Sequence, residues 1–194
     1  GKHDLVVVGT RQSAFMQSLL FGSTGLKLLR KCPCPVWVVT PEQRKAIENI
    51  LVAHDLTPVG ERALRVGCKL SQLSGAQWHI LHALEFPEAS SLLPSQISSD
   101  DFKKYHSVAS QQIENQLAGL LFQHRPVVHI VDEPVEHAIL NHIARHEIDL
   151  VVMGTVARTG ISGVITGNTA EKLLQQIQCS VLAVKPREFQ SPIA

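Results

Sequence analysis

Residues 148–186, IDLVVMGTVARTGISGVITGNTAEKLLQQIQCSVLAVKP, decide the architecture of this chain because they occur in it twice. Residues 3–41, HDLVVVGTRQSAFMQSLLFGSTGLKLLRKCPCPVWVVTP, align with them without a gap at a constant offset of 145, and 15 of the 39 positions are identical. The identities include Asp4/Asp149, Gly9/Gly154, Thr10/Thr155, Gly22/Gly167, Leu28/Leu173, Cys34/Cys179 and Pro41/Pro186. An offset of one domain's length marks two copies of a single module. Each copy reads as a strand (DLVVVGT or DLVVMGT), a loop bounded by glycines, a helix (TGLKLLRK or TAEKLLQQ) and a second strand (PVWVVTP or SVLAVKP). The strands are near-continuous apolar runs alternating with helical patterns, which predicts an α/β fold with a doubly wound parallel sheet covered on both faces.

The segment between the copies supplies what the first copy lacks. Residues 50–53 read as a strand ending in His54-Asp55, and Pro58 opens a helix whose apolar positions Ala63, Val66, Leu70 and Leu73 keep three-to-four spacing until Gly75. A second strand spans 78–84, and the serine- and proline-rich stretch 86–100 reads as a loop. A long helix then follows with an inner face of Phe102, Tyr105, Ala109, Ile113, Leu117 and Leu120, capped by Ser99 or Asp100. A third strand covers 127–131, and Pro134 opens a helix expected to bury Ala138, Ile139, Ile143 and Ala144. Residues 46–186 thus amount to five strands and four helices, one complete domain. Residues 1–41 are the carboxyl-terminal half of a first domain, and 187–194 a polar tail. A half-unit has apolar faces it cannot bury alone, so it must dock on the complete domain or on another chain.

Composition narrows the function. Lysine and arginine total 18 against 17 acidic residues, without the basic excess that phosphate-backbone binding requires, so nucleic acid is not an expected partner. No apolar run approaches the ~20 residues of a membrane span, and no leader precedes the first strand, so the expected location is the cytoplasm. The four cysteines form no dense framework and read as reduced thiols.

The loop of the second copy leaves the carboxyl end of a strand, the edge where open parallel sheets bind ligands. Its spacing is Gly154, two residues, Ala157, nine residues, Gly167, Asn168, Thr169. This resembles the nucleotide loop of universal stress proteins, glycine, two residues, glycine, nine residues, glycine, then serine or threonine. Ala157 stands at the second glycine position, and Asn168 stands where the hydroxyl is expected. The words GTxxRTGIS and GNTAEKLL, the tail KPREFQSP and the opening ILVAHD resemble the tandem E-type members of that family over nearly the whole chain. The resemblance implies a crevice for ATP or another adenine nucleotide. The adenine would lie against Ala53, Asp55 and Ala83, with Met153 and Gly154 at the far wall and the phosphates facing Ala157, Arg158, Gly167, Asn168 and Thr169. It also implies that residues 36–39 lie beside 181–184, through a homodimer or an intramolecular pseudo-dimer, so that deleting residues 1–41 would bare an edge and promote association. In the first copy Gly9, Gly22 and Ser23 keep part of the loop spacing, but Gln12 replaces the middle glycine and the first strand is missing; it is expected to bind nothing.

Other signals carry less. His142 and His146 sit four apart on one helix, a spacing that can hold a metal, but no third ligand is evident and a solvated helix face is the reading adopted. Cys32 and Cys34 are assigned to packing, because Cys34 aligns with Cys179 at the start of a core strand. The loop 90–99 could act as a lid. No GxSxG elbow and no GxxxxGK[ST] loop occurs, so the chain reads as a non-catalytic regulator binding a small ligand, with slow ATP hydrolysis or a ligand-free dimerisation module as alternatives.

Overall fold

The computed structural model describes residues 3–13, 16–20, 23–40, 46–84, 99–155, 173 and 176–189. The half-unit contributes β1 (Val6–Gly9), β2 (Arg11–Ser13), β3 (Met16–Leu20), α1 (Ser23–Lys31) and β4 (Val36–Val39). The complete unit contributes β5 (Asn49–Ala53), α2 (Pro58–Ser74), β6 (Gln77–Ala83), α3 (Ser99–Leu117), β7 (Val127–Val131), α4 (Val135–Arg145), β8 (Leu150–Gly154) and β9 (Ser180–Val184). Seven strands form one sheet in the order β1-β4-β9-β8-β5-β6-β7. Within the complete unit every neighbouring pair is parallel, and β5 is the strand from which the chain winds both ways.

The repeat in sequence is a repeat in register. In β1 and β4, Val6 faces Val36 and Gly9 faces Val39; in β8 and β9, 145 residues on, Val151 faces Val181 and Gly154 faces Val184. Thr10 closes the first copy by donating its N–H and hydroxyl to the carbonyl of Val39, and Thr155 makes the same two bonds to Val184. The copies meet antiparallel along β4 and β9, so the half-unit docks on the complete one within the chain. In the first copy, where a plain loop is expected after β1, β2 and β3 pair as an antiparallel hairpin. The apolar run that includes Met16, Leu19 and Leu20 has the strand propensity such a hairpin needs.

Alternate residues of each strand feed two cores. On one face Ile50, Val52, Trp78, Ile80 and Val152 pack beneath α2 and α3 through Ala63, Leu64, Cys68, Ile113 and Leu117. On the other, Leu51, Leu81, Val151, Val181 and Val38 pack beneath α4 and α1 through Ala138, Ile139 and Leu29. Leu29 belongs to the half-unit, so the second core is shared between the copies.

Two helices turn differently from their apolar spacing. In α2, Leu73 is 72% exposed, while Val59, Gly60, Ala63, Leu64, Gly67, Cys68 and Ser71 form the buried stripe. Gly67 explains this rotation: a Cβ there would come within 2.3 Å of Val52 Cγ2, so the helix has settled where its smallest residues allow closest approach. Gly75 ends α2 in the left-handed region at φ 74°, its N–H bonded to Ser71. In α4, Ala144 is exposed and the stripe runs through Ala138, Ile139 and His142, so the solvated reading of His142 does not hold. In α3, Ser99 and Asp100 are already helical, within the first turn. The four cysteines are free thiols, and burial pushes that of Cys179 up to about 12. Among the described residues no helix is long and apolar enough to cross a membrane.

Candidate functional site

The winding reverses at β5: α2, which follows β5, packs on one face of the sheet, while Leu173 and Ile177, which precede β9, pack on the other. The carboxyl ends of β8, β5 and β6 therefore stand at the switch point where open α/β sheets form their ligand crevice. Ala53 ends β5 directly beside Met153 of β8 and Leu81 of β6. Ala83 lies one pleat further along β6, and Gly154 is the last residue of β8. Four of the residues expected at an adenine site therefore occupy neighbouring strand ends. Met153 itself is only 7% exposed and packs into the core with Leu51 and Leu81, so it forms floor more than wall. Ala157, Arg158, Gly167, Asn168 and Thr169, expected opposite the phosphates, lie outside the described residues, as does most of the expected lid at 90–99.

Asp55 sits in the turn that follows β5, and the local sequence explains its setting. Leu56 takes a positive φ of 61°, a conformation costly for a branched side chain, and the chain reverses sharply there. Asp55 Oδ1 accepts from the Thr57 N–H at 3.1 Å and from the Thr57 hydroxyl at 2.6 Å. Thr57 in turn caps α2, its hydroxyl oxygen accepting from the Gly60 N–H at 3.2 Å. The carboxylate is thus fixed at the amino end of a helix by a relay of hydrogen bonds. Gly60 makes room for it: a Cβ at that position would stand 2.3 Å from Asp55 Oδ1 and 2.9 Å from His54 Nδ1.

His54 was read as part of this turn, but His82 was not foreseen as its neighbour. His54 is 4% exposed, its amide bonded to the Leu81 carbonyl, and its own carbonyl lies 2.8 Å from His82 Nδ1. Burial lowers the pKa of His54 from its ordinary value, partly opposed by the nearby Asp55 charge, so the ring is neutral at pH 7. Both ring nitrogens of His54 and Oε1 of Gln116 are buried without hydrogen-bond partners among the described residues. The HD pair after a buried strand was legible in the sequence, but its contact with α3 through Gln116 was not.

A second relay holds the start of the sheet. Asp149 Oδ2 accepts from the N–H groups of Glu48 and Asn49 at 2.8 and 2.9 Å, tying β5 to β8. This gives the repeated aspartate a structural task at the end of the sheet away from the crevice.

Comparison with known proteins agrees with the fold and the repeat. The Universal stress protein family matches the chain at residues 1–40 and 46–185. Universal stress protein E of Salmonella typhi is 29% identical over 210 aligned residues, which take in all of this chain and 64% of that protein. The chain therefore spans about two thirds of the length of that relative. A crystal structure of a functionally unknown protein from Pseudomonas aeruginosa PAO1 superposes with a TM-score of 0.72 at 26% identity, covering 95% of this chain and 64% of that one. A universal stress protein crystallised in complex with cAMP shares the fold with a TM-score of 0.51 at 18% identity, over 73% of this chain and 98% of that one. With the family matched over both copies of the repeat, the chain belongs to the universal stress protein family.

Proposed function

We propose that this protein is a non-catalytic stress-response regulator whose crevice takes an adenine nucleotide or another small ligand of similar shape. The observation that carries this reading is the convergence of Ala53, Asp55, Ala83 and Gly154 at the point where the sheet reverses its winding. Small residues at the strand ends leave space for a flat ring, and Asp55 offers an acceptor at one side of it. In this reading Met153 forms the floor, and the phosphates meet Ala157, Arg158, Gly167, Asn168 and Thr169. The cAMP complex of a distant fold relative makes cAMP one natural probe, and the loop's resemblance to a nucleotide loop makes ATP the other.

The regulatory half of the proposal rests on missing machinery in the sequence: no Walker lysine follows Gly167, and no nucleophile elbow is present. Pairing of β4 with β9 inside one chain favours the intramolecular pseudo-dimer over a homodimer through the last strands. Calorimetric titration with ATP and with cAMP, alongside phosphate release from ATP, tests both halves. Saturable binding of either nucleotide without turnover is expected. Absence of binding to both sinks the ligand assignment, and turnover abolished by Asp55→Ala sinks the non-catalytic one.

A further inference from the structure

Four histidines gather at the other end of the sheet, where neither the crevice nor the repeat needs them. His79 lies in β6 and His129 in β7, on the same sheet face, with His129 opposite Leu81 two residues beyond His79. α4 packs on that face and runs back toward the amino ends of the strands, which brings His142 and the capping residue His146 over the two strand histidines. His79 Nδ1 and His129 Nε2 are 3.1 Å apart. The His146 ring centroid stands 4.8 Å from that of His79 and 5.2 Å from that of His129. One ring nitrogen each from His79, His129 and His146 falls within a set no wider than 4.8 Å.

We propose that His79, His129 and His146 form a binding site for a divalent transition-metal ion of the zinc type, with a water molecule as the fourth ligand. Imidazole nitrogens suit Zn²⁺, Ni²⁺ and Cu²⁺ and not the hard cations Mg²⁺ and Ca²⁺. Zn–N bonds of about 2.0–2.1 Å in a tetrahedron place ligand nitrogens about 3.3 Å apart, so the His79–His129 spacing is already suitable and His146 needs to close by at most about 1.5 Å. Rotation of a half-buried side chain at a helix end supplies such a movement.

The surroundings favour neutral, metal-ready rings at the two strand histidines. Burial first, and the neighbouring histidines second, lower the pKa of His79 and His129, the latter to about 4, which leaves unprotonated rings at pH 7. His142 stands beside the site in a fixed tautomer, its Nδ1–H donating to the Ala138 carbonyl at 2.9 Å and its ring edge-on to His129 at 4.6 Å. It braces the ligand ring. His79 is buried while His129 and His146 are partly exposed, so the ion has a route in from solvent. The ligands come from two strands and a helix, and a bound ion would clip the last turn of α4 to β6 and β7.

The test uses the full chain, freed of any purification tag and stripped with a chelator. Titration with Zn²⁺ should give one tight equivalent per chain, Co²⁺ should give the visible absorption of a tetrahedral site, and Mg²⁺ should give neither. His146→Ala, at the exposed end of the cluster, should weaken Zn²⁺ binding at least about 100-fold, beyond what outer-shell changes cost. His146→Cys, which restores a zinc ligand, should recover most of it, and the exposed His106→Ala on α3 should change nothing. His129→Gln gives a second ligand variant, with circular dichroism to confirm its fold. Zn²⁺ affinity unchanged in both His146→Ala and His129→Gln, or no retained zinc in the wild-type chain, would overturn the site.

Discussion

Trp37 of β4 faces Leu182 of β9, its own counterpart 145 residues later in the repeat. The flanking pairs cross over, Val36 with Ala183 and Val38 with Val181, so a local two-fold axis passes through the Trp37–Leu182 pair and relates the two copies. The junction lies between the two cores, and Trp37 packs on the α2 side of it. Trp37→Ala should therefore destabilise the chain by about 2 kcal/mol, less than a fully buried tryptophan would cost because Trp37 is half-buried. Urea denaturation measures it, and a loss below about 0.5 kcal/mol would mean that the junction contributes little.

Removing residues 1–41 should bare both β9 and the core face that Leu29, Val36 and Val38 now cover. An uncovered, apolar strand edge pairs with whatever it meets. Sedimentation equilibrium should show the truncated chain associating more strongly than the intact one, and an unchanged monomer would contradict it.

Gly67→Ala brings a methyl group to within 2.3 Å of Val52 Cγ2, forcing α2 away from β5. Overpacking of about 1–3 kcal/mol outweighs the ~1 kcal/mol gained in helix propensity, so a net loss is expected. Val52→Ala in the same chain should recover stability, with a coupling above about 0.5 kcal/mol in a double-mutant cycle. Additive effects would show that the clash is relieved elsewhere.

Gly60→Ala tests the crevice without substituting any residue proposed to contact ligand. The added methyl displaces Asp55, whose carboxylate cannot move without giving up its bonds to Thr57. Nucleotide affinity should fall at least about tenfold, equivalent to about 1.4 kcal/mol. Thr57→Ala removes the helix cap and should cost about 1 kcal/mol of stability. Retention of full ATP and cAMP affinity in Gly60→Ala would separate the Asp55 turn from ligand binding.

Lys185 is fully buried where the copies meet, its ammonium donating to the Leu29 carbonyl at the end of α1 and lying 4.8 Å over the Phe189 ring. Burial lowers its pKa from 10.5 to about 8. Between those two values the unfolded chain binds more protons than the folded one, so this lysine's contribution to stability rises with pH through the window and is least favourable below it. Any stability advantage of Lys185→Met at pH 7 should shrink, or reverse in favour of wild type, as pH rises from about 8 toward 10.5. Denaturation midpoints that keep a constant separation over that range would rule out the buried charge as the cause.

Much of this was legible in the residues themselves. The constant offset between residues 3–41 and 148–186 announced two copies of one module, and the apolar strand runs bounded by His54-Asp55, Gly75 and Pro134 placed β5, α2 and α4 to within a residue or so. Those signals are local: periodicity, capping and turn chemistry act over a few residues, and a repeat is visible without any contact being known. Helix rotation was not local. Leu73 and Ala144 point outward, and Gly67 and His142 inward, because the buried stripe is set by how closely a helix can approach the sheet, which the smallest residues and the facing strand decide together. The histidine cluster was hidden for the same reason. His142 and His146 show helical spacing on their own, but His79 and His129 join them only when β6 and β7 pair in register and α4 folds back across them, contacts between segments about 50 residues apart that no window of sequence contains.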